Sequence, residues 1–142
     1  MSPALSALIT KLVWQRDELQ THLLAVKDES IKVKQQLEEI EQKVSQSSTR
    51  YSVEINPEFE MTRLNFITQL HNQKNELAKL LKNQEDLATK LNGKLLRVKT
   101  ELHMLEKHLE KEQAHQRKQQ EKTQEQTLDE WVIQRRNAYE NR

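Results

Sequence analysis

Apolar residues recur near the start of this chain at alternating steps of four and three: Leu5, Ile9, Leu12, then Leu19, Leu23, Val26, then Val33, Leu37, Ile40 and Val44. That rhythm puts them on one narrow stripe of a helix, the pattern of a coiled-coil seam. Arg16 and Ser30 are its polar members. A polar seam position restricts which side chain can sit opposite, so both are read as setting register at some cost in stability. For Arg16 the alternative is a carboxylate on another protein. The second half repeats the rhythm through Ile67, Leu70, Leu77, Leu81, Ala88, Leu91, Leu95, Val98, Leu102, Leu105 and Leu109, with Lys74 and Gln84 as polar interruptions. Gly93 falls on the outward side, where it costs roughly 1 kcal/mol of helix propensity and makes no packing defect.

Between the stripes, Ser45 to Asn56 exchanges helix formers for Ser, Thr and the β-branched Val53 and Ile55, and it closes on Asn56-Pro57-Glu58. That triplet reads as a helix start. Asn56 can cap free amides, Pro57 lacks only an N–H that had no partner, and Glu58 suits the positive end of the helix. The two stripes each cover about 40 residues, or roughly 60 Å of helix. Folding back at the connection brings Val44 near Ile67 and Leu5 near Leu109, so one chain can cover both. The expected fold is therefore all-α: a single domain forming an antiparallel two-helix coiled-coil hairpin with an extended second helix. Helix one is expected over about 4–50, the connection over about 51–56 and helix two over about 57–138. A parallel homodimer through the same stripes is the competing topology.

Composition narrows the function classes. With 4% aromatic and 35% hydrophobic residues against 32% charged, there is too little to fill a globular interior. The 23 basic and 22 acidic residues are intermixed, which gives no single-sign field of the kind nucleic acid requires. No cysteine is present, so disulfides, thiolate zinc sites and thiol nucleophiles are excluded, and a reducing cytosol would suit the chain. Met1 to Leu12 has no basic leader and is broken by Ser6, Thr10 and Lys11, so neither a signal peptide nor membrane insertion is expected. His103, His108 and His115 with Glu112 lie within a few turns, but an exposed single helix offers no third convergent ligand, and they read as solvated. The same exposure argues for a solvated face at His115, Arg117, Lys118 and Lys122, interleaved with Glu112 and Glu121. There is no phosphate-binding Gly loop and no scaffold for a Ser, His and Asp arrangement, so no enzymatic activity and no cofactor are expected.

After Leu109 the stripe stops. Glu110 to Thr127 is polar apart from Ala114 yet holds no Gly or Pro, so a helix can continue alone and is expected to fray in the free protein. Then Leu128, Trp131, Val132, Arg135 and Tyr139 fall on one helical face that the hairpin should not reach. Trp, Tyr and Arg dominate protein interfaces, so this face is read as a grip on another protein. The alternative is a terminal turn that folds back or packs on a second copy.

Three features together resemble the FliJ family of flagellar export proteins, and through it the stalk proteins of type III secretion systems. They are the order short helix, polar bend, longer helix over essentially the whole chain; Asn65-Phe66-Ile67-Thr68-Gln69-Leu70 near the start of helix two; and the tail Leu128-Asp129-Glu130-Trp131 followed by Arg135 and Arg136. The resemblance implies a rod like the central stalk of a rotary ATPase. Such a rod would be cytoplasmic and peripherally associated with the inner membrane through the export apparatus. It implies as partners a hexameric export ATPase, the export gate membrane protein and substrate-specific export chaperones. The ATPase-facing end would comprise Leu5, Leu8 and Leu12 with Leu128, Trp131, Val132, Arg135 and Arg136. The gate contact would map to Phe66, Leu70 and Leu77, with Gln73 standing where the family tends to have a small apolar residue. A monomer is expected when the chain is free. The equivalent stalk of a virulence-type secretion system and a self-associating structural coiled coil are the alternatives.

Overall fold

The structure, a computed structural model, describes residues 2–49 and 57–140. All the regular structure among them is helical: α1 spans Pro3–Thr49 and α2 spans Pro57–Glu140. Each helix starts on a proline, whose fixed φ suits the first turn and whose missing N–H has no helical partner there. Ser2 precedes the first of them, and its carbonyl accepts from the Ser6 amide at 3.0 Å. Glu58 and Glu60 lie in the first turn of α2, where negative charge is favoured by the exposed amides. The expected connection, with Val53, Ile55 and the Asn56 cap, lies outside the described residues, as does Arg50.

The two helices pack on each other as an all-α hairpin, and the chain divides into two compact units. One joins Trp14–Val98, so that it contains most of α1 and the first half of α2; the other joins Met1–Val13 with Lys99–Arg142.

In the Trp14–Val98 unit, Leu23 and Val26 pack with Leu91 and Leu95, and Leu19 and Ala88 close the cluster. Further along α1, Gln84 Nε2 donates to Glu29 Oε2 at 3.4 Å, and Lys74 Nζ lies 3.4 Å from Glu41 Oε1. The α2 partner's number falls as the α1 number rises, which makes the pairing antiparallel. Val33 and Ile40 on α1 and Leu70 on α2 are buried in the same seam. Burying a side chain of this size contributes about 1.5–3 kcal/mol, enough in series to hold two helices that have no other interior.

The polar seam positions find four different solutions. Ser30 is buried, and its hydroxyl donates back to the Val26 carbonyl at 3.0 Å. Gln84 sits in the same layer, one residue from Ser30 by way of its bond to Glu29. Lys74 reaches out of the seam to Glu41, and Arg16 Nε pairs with the adjacent Asp17 at 3.2 Å, a carboxylate of its own chain. The repeat also begins one step earlier than the apolar residues indicate. Arg63 occupies the seam position before Ile67 and is half-buried, with Nη1 3.6 Å from Glu60 and with Nε shielded and unpartnered among the described residues. Gly93 faces outward: a Cβ there would meet nothing within 4 Å.

In the other unit, Leu12 and Leu102 are buried, while Leu5, Ile9, Leu105 and Leu109 are half-buried. The same seam rhythm therefore governs both units. Beyond Leu109 every described residue of α2 is exposed.

Candidate partner-binding surfaces

Among the described residues the exposed end of α2 has no apolar partner, so its helix rests on its own backbone and local side-chain bonds. Thr123 and Thr127 donate to the carbonyls of Gln119 and Thr123 at 2.8 Å each, and Gln119 Nε2 lies 3.2 Å from His115 Nε2. The Gln119–His115 pair contributes only about a few tenths of a kcal/mol, and a threonine hydroxyl on its own helix's carbonyl adds no support. On this polar stalk stand Leu128 at 61% exposure and Trp131 at 54%, with Val132, Ile133 and Tyr139 also open to solvent. The Arg135 guanidinium lies over the Trp131 ring, 5.0 Å from its centroid. That i, i+4 contact flattens a long flexible side chain against a rigid one and restricts both. Trp131, Val132, Arg135, Arg136 and Tyr139 together line a shallow concavity.

The direction of this face matters. At 100° per residue, Leu128, Trp131, Val132, Arg135 and Tyr139 point roughly a quarter turn away from Leu102, Leu105 and Leu109. The tail is thus no continuation of the seam: whatever covers it approaches α2 from another side than α1 does.

The remaining residues assigned to the ATPase-facing end divide by register. Leu8 is 43% exposed, Leu5 is half-buried and Leu12 is buried. Leu12 is committed to the seam, and Leu8 is the member of the three that faces solvent. The residues assigned to the gate contact divide in the same way: Leu70 is buried at 5% exposure and Leu77 is half-buried, whereas Phe66 and Gln73 are exposed.

Phe66 and Gln73 belong to a set that seam-reading passes over. Phe59, Phe66, Gln73, Leu80 and Leu87 recur every seven residues on α2, the last four each one position ahead of a seam residue. Four of the five are large hydrophobics left exposed. Gln73, Leu77 and Leu80 line a groove with Gln36, Glu39, Ile40 and Lys43 of α1. A two-stranded coiled coil uses only the two seam positions per heptad, so a third apolar position makes α2 wider in apolar surface than α1 can cover. Counting residues at seven-step spacing beside the seam would have found this set.

Among the described residues, no three His, Cys, Asp or Glu groups converge as a metal site. Nor is any described helix long and apolar enough to cross a membrane. No family model, curated protein or solved structure matches this chain.

Proposed function

We propose that the chain is a non-enzymatic component of the flagellar type III protein export apparatus, a coiled-coil stalk and chaperone escort that binds the hexameric export ATPase and the export gate. One observation carries the reading: the seam is covered within the chain, while the Trp131–Arg135 face is covered by nothing among the described residues. A protein whose core demands are met internally can hold an anchor out to a neighbour. Trp and Arg in mutual contact are the residue types in which binding energy concentrates. The tail resemblance at Leu128-Asp129-Glu130-Trp131, with Arg135 and Arg136, points that anchor at the ATPase. Phe66 and Gln73, with Leu77 behind them, form the flank for the gate, and Leu80 extends it. The protein would then work in the cytoplasm, held at the inner membrane through its partners. The corresponding stalk of a virulence-type secretion system shares this physics and is the second reading.

The test is co-purification with the cognate export ATPase, together with that enzyme's turnover. Trp131→Ala and Leu128→Ala should each weaken binding at least about tenfold, the effect of losing a central anchor. Binding that is absent in the unsubstituted protein, or indifferent to both substitutions, would remove the proposal.

A further inference from the structure

We infer that in the free protein the tail face of α2 is covered by the same face of a second copy, running antiparallel. The inference rests on reading this face as an interface, but not on the identity of the partner that uses it.

The argument is one of charge and direction. Asp129 and Glu130 stand before the Trp131–Val132 pair, and Arg135 and Arg136 follow it. Read from the other end, the same segment presents opposite signs, the pattern that a two-fold axis between Val132 and Ile133 requires of a self-complementary surface. Asp129 and Arg136 also lie seven residues apart, so they project within about 20° of each other along one flank of the apolar face. Antiparallel helices set like flanks together. Asp129 of each copy then meets Arg136 of the other, and the pair forms twice. A parallel arrangement would oppose this flank to the one bearing Thr127 and Ala138, which offers no charge. Both groups are exposed, and among the described residues neither is ion-paired within its own chain.

Size sets the strength. The segment from Leu128 to Tyr139 is about 18 Å of helix. Two such faces bury less than the roughly 1,200–2,000 Å² of a standard stable interface. The pairing is therefore weak and reversible: it shields Trp131 in the free protein and yields to a partner with a deeper groove. Because the tail points away from the seam, it leaves each hairpin intact.

Sedimentation velocity of the full chain alone, from about 2 to 200 µM, tests this at a concentration range suited to a weak interface. The unsubstituted protein should gain mass with concentration, less so in high salt, and Trp131→Ala should abolish the gain. Asp129→Arg leaves two basic groups on the flank and Arg136→Asp two acidic ones, so each alone should associate about tenfold more weakly. Mixed in equal amounts, the two variants should recover association, because each then meets the opposite charge. Helicity by circular dichroism should not change, since both positions are exposed. A mass constant over the whole range, association indifferent to Trp131→Ala, or a mixture no stronger than its components would each overturn the inference. No other protein is present, so failure here leaves the ATPase proposal standing, and loss of ATPase binding leaves this result standing.

Discussion

Leu95 and Leu96 are neighbours of one chemical kind, yet Leu95 is 5% exposed and Leu96 67%. The helical period separates them: Leu95 meets Leu23 and Val26 across the seam, and Leu96 faces outward. Leu95→Ala should cost about 2–4 kcal/mol in urea unfolding, because it removes packed methyl groups from a two-helix interior that can collapse only partly around the gap. Leu96→Ala should stay within about 0.5 kcal/mol, which tests the register one residue at a time. Gln84 makes the opposite case. Its Oε1 is shielded from solvent without a hydrogen-bond partner among the described residues, and its Nε2 bond to Glu29 is long at 3.4 Å. Gln84→Leu should raise stability by about 1 kcal/mol in the same assay, since an apolar residue removes the desolvation cost of that oxygen. A loss of stability would show that the Ser30–Gln84 layer is worth more than its bonds suggest. At this scale the seam was legible because leucine and valine at steps of three and four mark a helix face unambiguously. Arg63 was not: a charged residue leaves no trace in an apolar rhythm, and only its half-burial beside Glu60 shows that it belongs.

Among elements, α2 carries the asymmetry that matters, with 84 residues against 47 in α1. Its first part is packed, whereas from Glu110 onward every described residue is exposed and the helix rests on its own backbone bonds. A lone helix with so little support should open readily. Amide hydrogen exchange in dilute protein should therefore be fast from Glu110 through Tyr139 and slow around Leu91, Leu95 and Leu102. Protection should spread into Leu128–Tyr139 when the ATPase is added; exchange there as slow as in the seam of the free protein would contradict a tail without a partner. The tail face was readable in the sequence because an apolar cluster stands alone after a polar stretch, and nothing among the described residues covers it. The availability of the other assigned residues was not readable in the same way. Leu12 and Leu70 satisfy the seam and a partner motif alike, and only their burial decides that the seam holds them. The flank of Phe59, Phe66, Leu80 and Leu87 was hidden for a related reason: Phe66, Leu80 and Leu87 each lie next to a seam residue and merge with it in a linear reading.

For the whole molecule, the account depends on α1 and α2 of one chain closing on each other. If they do, the hairpin makes no demand on the Trp131 face, which is left for contacts between molecules; if the stripes instead join separate chains, the chain is a structural coiled coil and the tail reading loses its basis. The sequence contains no cysteine, so two can be introduced at His22 and Lys94, which are exposed beside the seam residues Leu23 and Leu95, and labelled with nitroxides. Pulsed electron resonance, with labelled chain diluted into excess unlabelled chain, then reads their separation within a single molecule. Helices packed 8–10 Å apart should give a distance within about 20–30 Å including the label arms, unchanged by dilution. A short distance that disappears on dilution, or one approaching the roughly 108 Å of a single unbroken helix, would contradict it.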